Sequence, residues 1–225
     1  MNRTLKSILL ALPFCLAGAS TTVHASNDHD GKVGMYAVTI TNLTRGQTFT
    51  PIMVASHKRG HPLFTLGAPA DPALATVAES GNTQPLSDEL LNSGLAFDTA
   101  SSGALLGPGE SVTVNVRTTK RYRYVSVVSM LIPTNDAFFA ANGIPGPRGN
   151  KTATAVSPVY DAGSEINDEL CISIPGPVCG GAAISPEDGE GYVHIHAGIH
   201  GIGDLAPATY DWRNPAARIS VVRVK

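Results

Sequence analysis

The chain has 225 residues, a formal net charge of −2 at pH 7 and 43% apolar residues. This charge balance excludes a strongly basic nucleic-acid-binding protein and gives no reason to expect an anionic membrane surface as partner. A length of about 200 residues after a leader is enough for one domain with its own core.

Residues 1–25 predict a secretory signal peptide. Arg3 and Lys6 precede an apolar run at residues 8–19, and the small residues that follow end at Ala25, where we place the cleavage site. The apolar run is shorter than the about 20 residues of a membrane-spanning helix, and no later segment comes closer. We therefore expect an exported protein, periplasmic or extracellular, without a transmembrane segment.

Beyond the leader, five segments predict β-strands, because they are rich in Val, Ile, Thr and Tyr and alternate in part between apolar and polar residues. These segments are residues 35–41, 112–116, 124–130, 192–197 and 219–224. Glycine- and proline-rich turns separate them. The pattern predicts an all-β fold, an antiparallel β-sandwich over residues 35–225, after a disordered tail at residues 26–34.

Three short helices are predicted in the connections. Asp71 is a suitable N-cap for a helix over residues 72–80 that ends at Gly81. Two further helices are predicted over residues 87–92 and 135–142.

The two cysteines outside the leader, Cys171 and Cys179, predict one disulfide, since an exported chain with an even number of cysteines usually pairs them. The bridge closes a short loop and would stabilise that loop more than the fold.

An acidic loop offers one candidate metal site. Asp161 and Glu165 are four residues apart with Gly163 between them, and carboxylates on a tight turn can converge on Ca²⁺ together with backbone carbonyls. The alternative is a solvated acidic turn.

The sequence around this loop resembles the spondin N-terminal domain of F-spondins, mindins and many exported bacterial proteins. Residues 161–165, "DAGSE", are similar to the "DAGTD" element of that family. Further similarities follow the family's order: a first strand at Tyr36, "SHKRGHP" at residues 56–62, Glu79 with its neighbours, and "VVSMLIPTND" at residues 127–136. The resemblance covers residues 35–225.

The resemblance implies a C2-like β-sandwich with calcium bound by loops at one end. The implied Ca²⁺ ligands are Asp136, Asp161 and Glu165, and Glu165 stands where the animal members have aspartate. Asp136 also begins the helix predicted over residues 135–142, so N-capping is its alternative role. A strand returning between the two loops would bring them to one end of the sandwich.

The segment "GYVHIHAGIHGIGD", residues 191–204, offers a second candidate. If residues 192–197 form a strand, His194 and His196 share its outer face, and His200 can fold back to complete a site for Zn²⁺ or Cu²⁺. The alternative is that these histidines bond turn backbone or are solvated.

We expect a non-enzymatic, exported calcium-binding module for adhesion or recognition of a protein or glycan at the cell surface. The competing hypothesis is a Zn or Cu metalloprotein or metalloenzyme that uses His194, His196 and His200 with Asp204. A third hypothesis is a surface protein without a functional metal.

Overall fold

A computed structural model describes residues 32–184 and 189–224. The predicted signal peptide, residues 1–25, lies outside the described residues, as does most of the predicted tail. Within the described residues the chain forms two antiparallel sheets and three short α-helices.

The strands are β1 (Gly34–Asn42), β2 (Thr48–Phe49), β3 (Met53–His57), β4 (Ala96–Ser101), β5 (Ser111–Thr118), β6 (Tyr124–Ile132), β7 (Ala137–Pro145), β8 (Thr152–Ser157), β9 (Val159–Asp161), β10 (His194–Ile195) and β11 (Ala217–Val224). The α-helices are α1 (Pro72–Ser80), α2 (Gln84–Asn92) and α3 (Pro207–Tyr210), and Cys171–Ser173 forms a 3₁₀ turn. One sheet has the order β5-β1-β11-β8, and the other has the order β10-β9-β7-β6-β3-β4, with β2 also paired to β6.

The main core lies between the two sheets. Alternate residues of β1 are buried and include Val38 and Ile40, both 0% exposed, as expected for a strand with one face in the core. They pack with Val127 of β6 and Phe139 of β7 from the second sheet. The predicted β-sandwich is thereby confirmed.

A second apolar cluster lies on the other face of the larger sheet. There Leu74 and Val77 of α1 and Leu86 of α2 pack on Val128 of β6 and Phe138 of β7. Because both faces of this part of the sheet are covered, residues 125–132 of β6 are buried without alternation. The molecule therefore has three layers where α1 and α2 cover the sheet.

The helix predicted over residues 72–80 is confirmed. Asp71 accepts a hydrogen bond from the amide of Ala73 at 2.8 Å, and Gly81 ends the helix in the left-handed conformation with φ 70°. The second predicted helix is present but begins at Gln84, three residues earlier than expected.

The helix predicted over residues 135–142 is wrong, because this segment lies in β7. Phe139 packs against Phe49 between the sheets, whereas Phe138 packs against the helices and against Phe64. Adjacent residues buried on opposite faces fit a strand with period two and not a helix. Tertiary packing outweighs the helical preference of the alanines here.

The strand predicted over residues 192–197 is much shorter than expected, since only His194 and Ile195 pair with β9. The predicted outer position of His196 is wrong, since His196 is 7% exposed and its neighbour Ile195 is 48% exposed, whereas Val193 is buried and Tyr192 exposed as the alternation predicts. The segment is the edge of its sheet, and Gly198, with φ 98°, turns the chain away immediately afterwards.

The predicted disulfide is confirmed. Cys171 and Cys179 are bonded, with their Cα atoms 4.7 Å apart.

Candidate functional site

Three neighbouring strands bring acidic and histidine residues together at one end of the larger sheet. Asp161 of β9 pairs with Ala137 of β7 on one side and with His194 of β10 on the other. Directly paired residues of antiparallel strands share a face, so the side chains of Asp161 and His194 are neighbours. Asp136 lies immediately before β7, and its carbonyl accepts a hydrogen bond from the amide of Ala162 at 3.3 Å.

The carboxylate of Asp136 is fully buried and only half satisfied. Its Oδ2 accepts hydrogen bonds from the amides of Ser164 and Glu165, at 2.8 and 3.1 Å, and from the Ser164 hydroxyl at 3.2 Å. Its Oδ1 is buried without a hydrogen-bond partner. Burial raises the pKa of Asp136, although the hydrogen bonds from Glu165 and Ser164 act in the opposite direction.

Asp161 is a second buried carboxylate, 1% exposed. Its Oδ1 accepts from the amide of Gly163 and its Oδ2 from the side-chain amide of Asn167, both at 2.7 Å. Burial, with a contribution from the charge of Asp136, raises the pKa of Asp161 to about 7. Two ionised carboxylates in this place repel each other unless a cation accompanies them.

Two further glutamates lie close to this pair. The amide of Glu165 is bonded to Asp136, and its side chain is 1% exposed. Glu79 of α1 is 7% exposed and neighbours Ser164; burial raises the pKa of Glu79, and the charge of Asp136 adds to this effect. The sequence had not marked Glu79 as a ligand, although it belongs to one of the segments that resemble the spondin domain.

The donor set fits a hard divalent cation. Within residues 32–184 and 189–224, no Lys or Arg forms an ion pair with Asp136 or Asp161. Buried carboxylates normally need a counter-charge, and carboxylate oxygens beside loop carbonyls are the ligands that Ca²⁺ takes. Asp136 and Asp161, with Glu165 and Glu79 as neighbours, are the acidic residues of this region. They do not form a converged set, since among the described residues only Asp161, Glu190 and His194 place three ligand atoms within 4.8 Å of one another.

His194 is oriented by the backbone. Its Nδ1 lies 3.1 Å from the carbonyl oxygen of Ile195, and since a carbonyl only accepts, Nδ1 carries the proton. Its Nε2 lies 3.5 Å from Asp161 Oδ1 and 3.6 Å from Glu190 Oε2. Burial alone would lower the pKa of His194, but this backbone bond and the two carboxylates outweigh burial and raise it.

His196 has both ring nitrogens engaged. Its Nδ1 accepts from the amide of Gly198 at 2.9 Å, so Nε2 carries the proton and donates to Asn167 Oδ1 at 3.1 Å. Its ring packs on Trp212, and burial lowers the pKa of His196 to about 4. This imidazole is neutral and links Asn167 to the turn at Gly198.

The side chain of His200 is exposed, and it lines the same cavity as His194 and His196. Its backbone amide, with those of Gly201 and Ile202, donates to the buried carboxylate of Glu169 at 2.5–3.1 Å. The glycine-rich turn thus holds an internal anion in a cluster of backbone amides. Asp204 accepts from the amide of Cys171 at 2.8 Å and therefore anchors the disulfide loop.

A serine–histidine pair exists but is inaccessible. His57 Nε2 lies 2.8 Å from the hydroxyl of Ser126, and the residues are 2% and 0% exposed. The neighbouring Ser56 instead donates to the carbonyl of Arg117 at 2.6 Å. A substrate cannot reach this pair, whose role is to satisfy polar groups inside the sheet.

A family profile matches the part of the chain that ends in β7. The profile of the Spondin_N family covers residues 40–144. These residues therefore resemble the spondin N-terminal domain. The spondin match contains Glu79 and Asp136 and ends before Asp161 and the histidines, and it confirms the resemblance seen in the sequence. No curated protein matches the chain significantly.

Sequence reasoning also missed Glu190, which the fold places beside His194. The available signal was its position four residues before His194, just ahead of the glycine that opens the histidine segment.

None of the helices among the described residues has the length and apolarity to cross a membrane.

Proposed function

We propose that this spondin-domain protein is an exported, calcium-binding recognition module, in which loop carboxylates at one end of the sandwich hold Ca²⁺. Asp136 and Asp161 are the central ligands, and Glu165 and Glu79 are the neighbouring acidic residues that complete the oxygen set.

The observation that carries this proposal is the buried Oδ1 of Asp136, which has no hydrogen-bond partner. An unsatisfied buried carboxylate oxygen costs several kcal/mol if it stays charged and unpaired. Its neighbour Asp161 has a raised pKa in part because Asp136 is close. A divalent cation between Asp136 and Asp161 would pair with the buried oxygen of Asp136 and would offset the repulsion between the two carboxylates.

The alternative role of Asp136, capping of a helix, finds no support. The segment after Asp136 is β7, so no helix amides begin there. Instead, its Oδ2 joins the loop at Ser164 and Glu165 to the start of β7. One oxygen of the carboxylate organises the loop, and the other is left for a cation.

The surface near this end supports recognition of a protein partner. Exposed apolar side chains are frequent in the loops that follow β9, and large exposed apolar surface commonly marks interaction sites. Six of them are Ile166 (46% exposed), Leu170 (41%), Ile172 (76%), Val178 (51%), Ile184 (60%) and Ile202 (69%). Aliphatic side chains of this kind suit a protein surface better than a polar glycan.

Calcium binding is tested by calorimetric titration and thermal unfolding of tag-free protein after chelation. At calcium 100 times above Kd, binding stabilises by about 2.7 kcal/mol, which raises Tm by roughly 5–10 °C for a domain of this size. Asp136→Asn should abolish this rise, while Asp88→Asn, the same change on the exposed face of α2, should retain it. A rise of equal size in both variants would contradict the proposal.

Recognition is tested separately by calcium-dependent binding of labelled protein to the surface of the cells that produce it. Ile172→Ser should weaken the binding without changing calcium affinity, since Ile172 is exposed and lies in the disulfide loop. If Asp136→Asn binds the cells as well as the unchanged protein does, calcium has no part in recognition.

The metalloenzyme hypothesis with His194, His196, His200 and Asp204 receives less support. His196 has no nitrogen lone pair to spare, and Asp204 is engaged with Cys171. We therefore retain the recognition module as the proposed function.

A further inference from the structure

A cluster beside the proposed calcium site contains a nitrogen ligand and two carboxylates. One ligand atom from each of Asp161, Glu190 and His194 lies within 4.8 Å of the other two. His194 Nε2 is a buried atom without a hydrogen-bond partner. With Nδ1 bonded to a backbone carbonyl, Nε2 is the ring atom that faces the two carboxylates, and in the neutral ring this atom carries the lone pair that a metal ion takes.

The separations within this cluster are those of ligands around a metal ion. Hydrogen bonds between charged nitrogen and oxygen are about 2.7–2.9 Å long, but His194 Nε2 lies 3.5 Å from Asp161 Oδ1 and 3.6 Å from Glu190 Oε2. Two ligands that are each about 2.0–2.1 Å from a tetrahedral Zn²⁺ lie roughly 3.3–3.4 Å apart. The observed gaps are wider than a short charged hydrogen bond and close to the width that an ion requires.

The surroundings orient these three ligands. The bond from Nδ1 of His194 to a backbone carbonyl is the contact that commonly fixes a metal-binding histidine. Asn167 donates to the second oxygen of each carboxylate, at 2.7 Å for Asp161 and 3.4 Å for Glu190. His196 in turn donates to Asn167, so it supports the cluster from outside.

The cluster also has an open side. It lines a cavity of about 140 Å³, whose other lining residues include Thr134, Asn135 and Ile199. Three protein ligands with a free position leave room for water or a partner group on the ion. Such a site is exchangeable and not closed as a purely structural zinc site is.

We propose that Asp161, Glu190 and His194 bind a transition-metal ion of the zinc type, next to the proposed calcium site, to which Asp161 also belongs. The imidazole of His194 favours zinc over calcium at this site, because calcium takes oxygen ligands whereas zinc accepts nitrogen readily. The site replaces the three-histidine set expected from the sequence: His194 is a ligand, His196 positions Asn167, and the ring of His200 takes no part. This proposal does not depend on calcium binding.

The test is zinc titration of chelator-treated, tag-free protein in a fixed excess of calcium, with Co²⁺ as spectroscopic probe. We expect one zinc per chain. His194→Gln and Glu190→Gln should each weaken zinc at least about 100-fold, beyond the 10–100-fold typical of a supporting residue, and His194→Gln should abolish the visible Co²⁺ absorption. Circular dichroism confirms that each variant is folded.

Matched variants separate the possible results. His61→Gln and His200→Gln alter exposed histidines and should leave zinc binding unchanged, and Asp136→Asn should lose the calcium response while still taking up one zinc. Zinc binding that survives His194→Gln, or that is lost in His200→Gln, overturns the proposal. So does a folded, unchanged protein that takes up no zinc.

Discussion

The two ends of the β6–β7 hairpin differ in the sign and in the burial of their charged side chains. At the end where β6 stops and β7 begins, Asp136 is fully buried and lies beside Asp161. At the other end, roughly 30 Å away for strands of nine residues, a groove is lined by cationic side chains that are exposed or partly exposed. They are Lys32, Lys120, Arg123, Arg148 and Arg223.

The difference shows that burial decides whether a charge needs a specific partner. Water solvates the exposed cations, so their positions tolerate change. The buried carboxylates have lost that water, and hydrogen bonds replace only part of it. The acidic end is therefore the end where we expect a bound ion to change the stability of the fold.

The largest expected difference between the two ends is in the stability lost when one glycine at each end is replaced by alanine. Gly163 has φ 66°, and an added Cβ would lie 2.7 Å from the amide nitrogen of Tyr192 and still closer to its carbonyl oxygen. Gly149, in the turn after β7, has φ 61° but open space around that position. Both glycines occupy the left-handed region, but only Gly163 is also in close contact with another backbone segment.

Gly163→Ala should therefore destabilise the protein by about 3 kcal/mol, through positive φ and overpacking together, or roughly 6–12 °C in Tm. Gly149→Ala should cost about 1 kcal/mol, from the backbone alone. Thermal unfolding of both variants measures the difference. Equal losses would show that the close approach of the "DAGSE" loop to Tyr192 contributes no stability.

The next largest expected effect is a pH dependence of stability that arises at the acidic end. The raised pKa of Asp161, about 7, means that the calcium-free fold holds a proton there which the unfolded chain releases above its ordinary value of 3.8. This contribution to stability is present at low pH and is lost as pH rises through 7. Calcium needs the ionised form, so its stabilising effect should grow over the same range.

We expect the calcium-induced rise in Tm to be largest near about pH 8 and much smaller near about pH 5.5. The difference with and without calcium at each pH is the quantity to measure, because it cancels the opposite contribution of His196, whose pKa is lowered. Asp161→Asn should weaken the calcium effect and reduce its pH dependence; the part that remains comes from Asp136 and Glu79, whose pKa values are also raised. A calcium effect that is constant with pH would exclude Asp161 as a ligand.

A smaller effect is expected from the residue that supports both carboxylates. Asn167→Ala removes the donor to Asp161 and Glu190 and the acceptor for His196. Zinc should bind about 10–100-fold more weakly while one ion per chain is retained. Asn115→Ala, on the exposed face of β5, is the matched control, and the same loss there would point to a general effect on stability.

The smallest effect belongs to the basic end. Arg148 is exposed and forms no ion pair within the described part of the chain. Arg148→Gln should change stability by less than about 0.5 kcal/mol and leave the calcium and zinc titrations unaltered. A change in either titration would mean that the two ends are coupled through the hairpin.

Local pattern predicted the all-β class, strands β1, β5, β6 and β11 and helices α1 and α2, but not β3, β4, β8 or β9. The alternation in β1, β5 and β11 marks strands with one buried face, and Asp71 and Gly81 mark the ends of α1 by capping. The helix expected over residues 135–142 failed because Phe138 and Phe139 are buried on opposite faces of a sheet covered on both sides. A single sequence does not show that a strand is covered twice.

The candidate site was predicted only in part. Asp161 and Glu165 stand out as a loop pair in the sequence, and Asp136 entered through the resemblance to spondin domains. Glu190 and the supporting role of Asn167 depend on how β10 pairs with β9. Long-range strand pairing of this kind leaves little local trace.

The sequence by itself indicated the resemblance to spondin domains, the β-sandwich, the disulfide and the supply of acidic and histidine side chains. Tertiary structure decided which of those side chains meet. Pairing of β7, β9 and β10 sets Asp161 between Asp136 and His194, and burial raises the pKa of both carboxylates. The physical reason is that desolvation and strand register belong to the folded chain, whereas composition and periodicity can be read from the sequence.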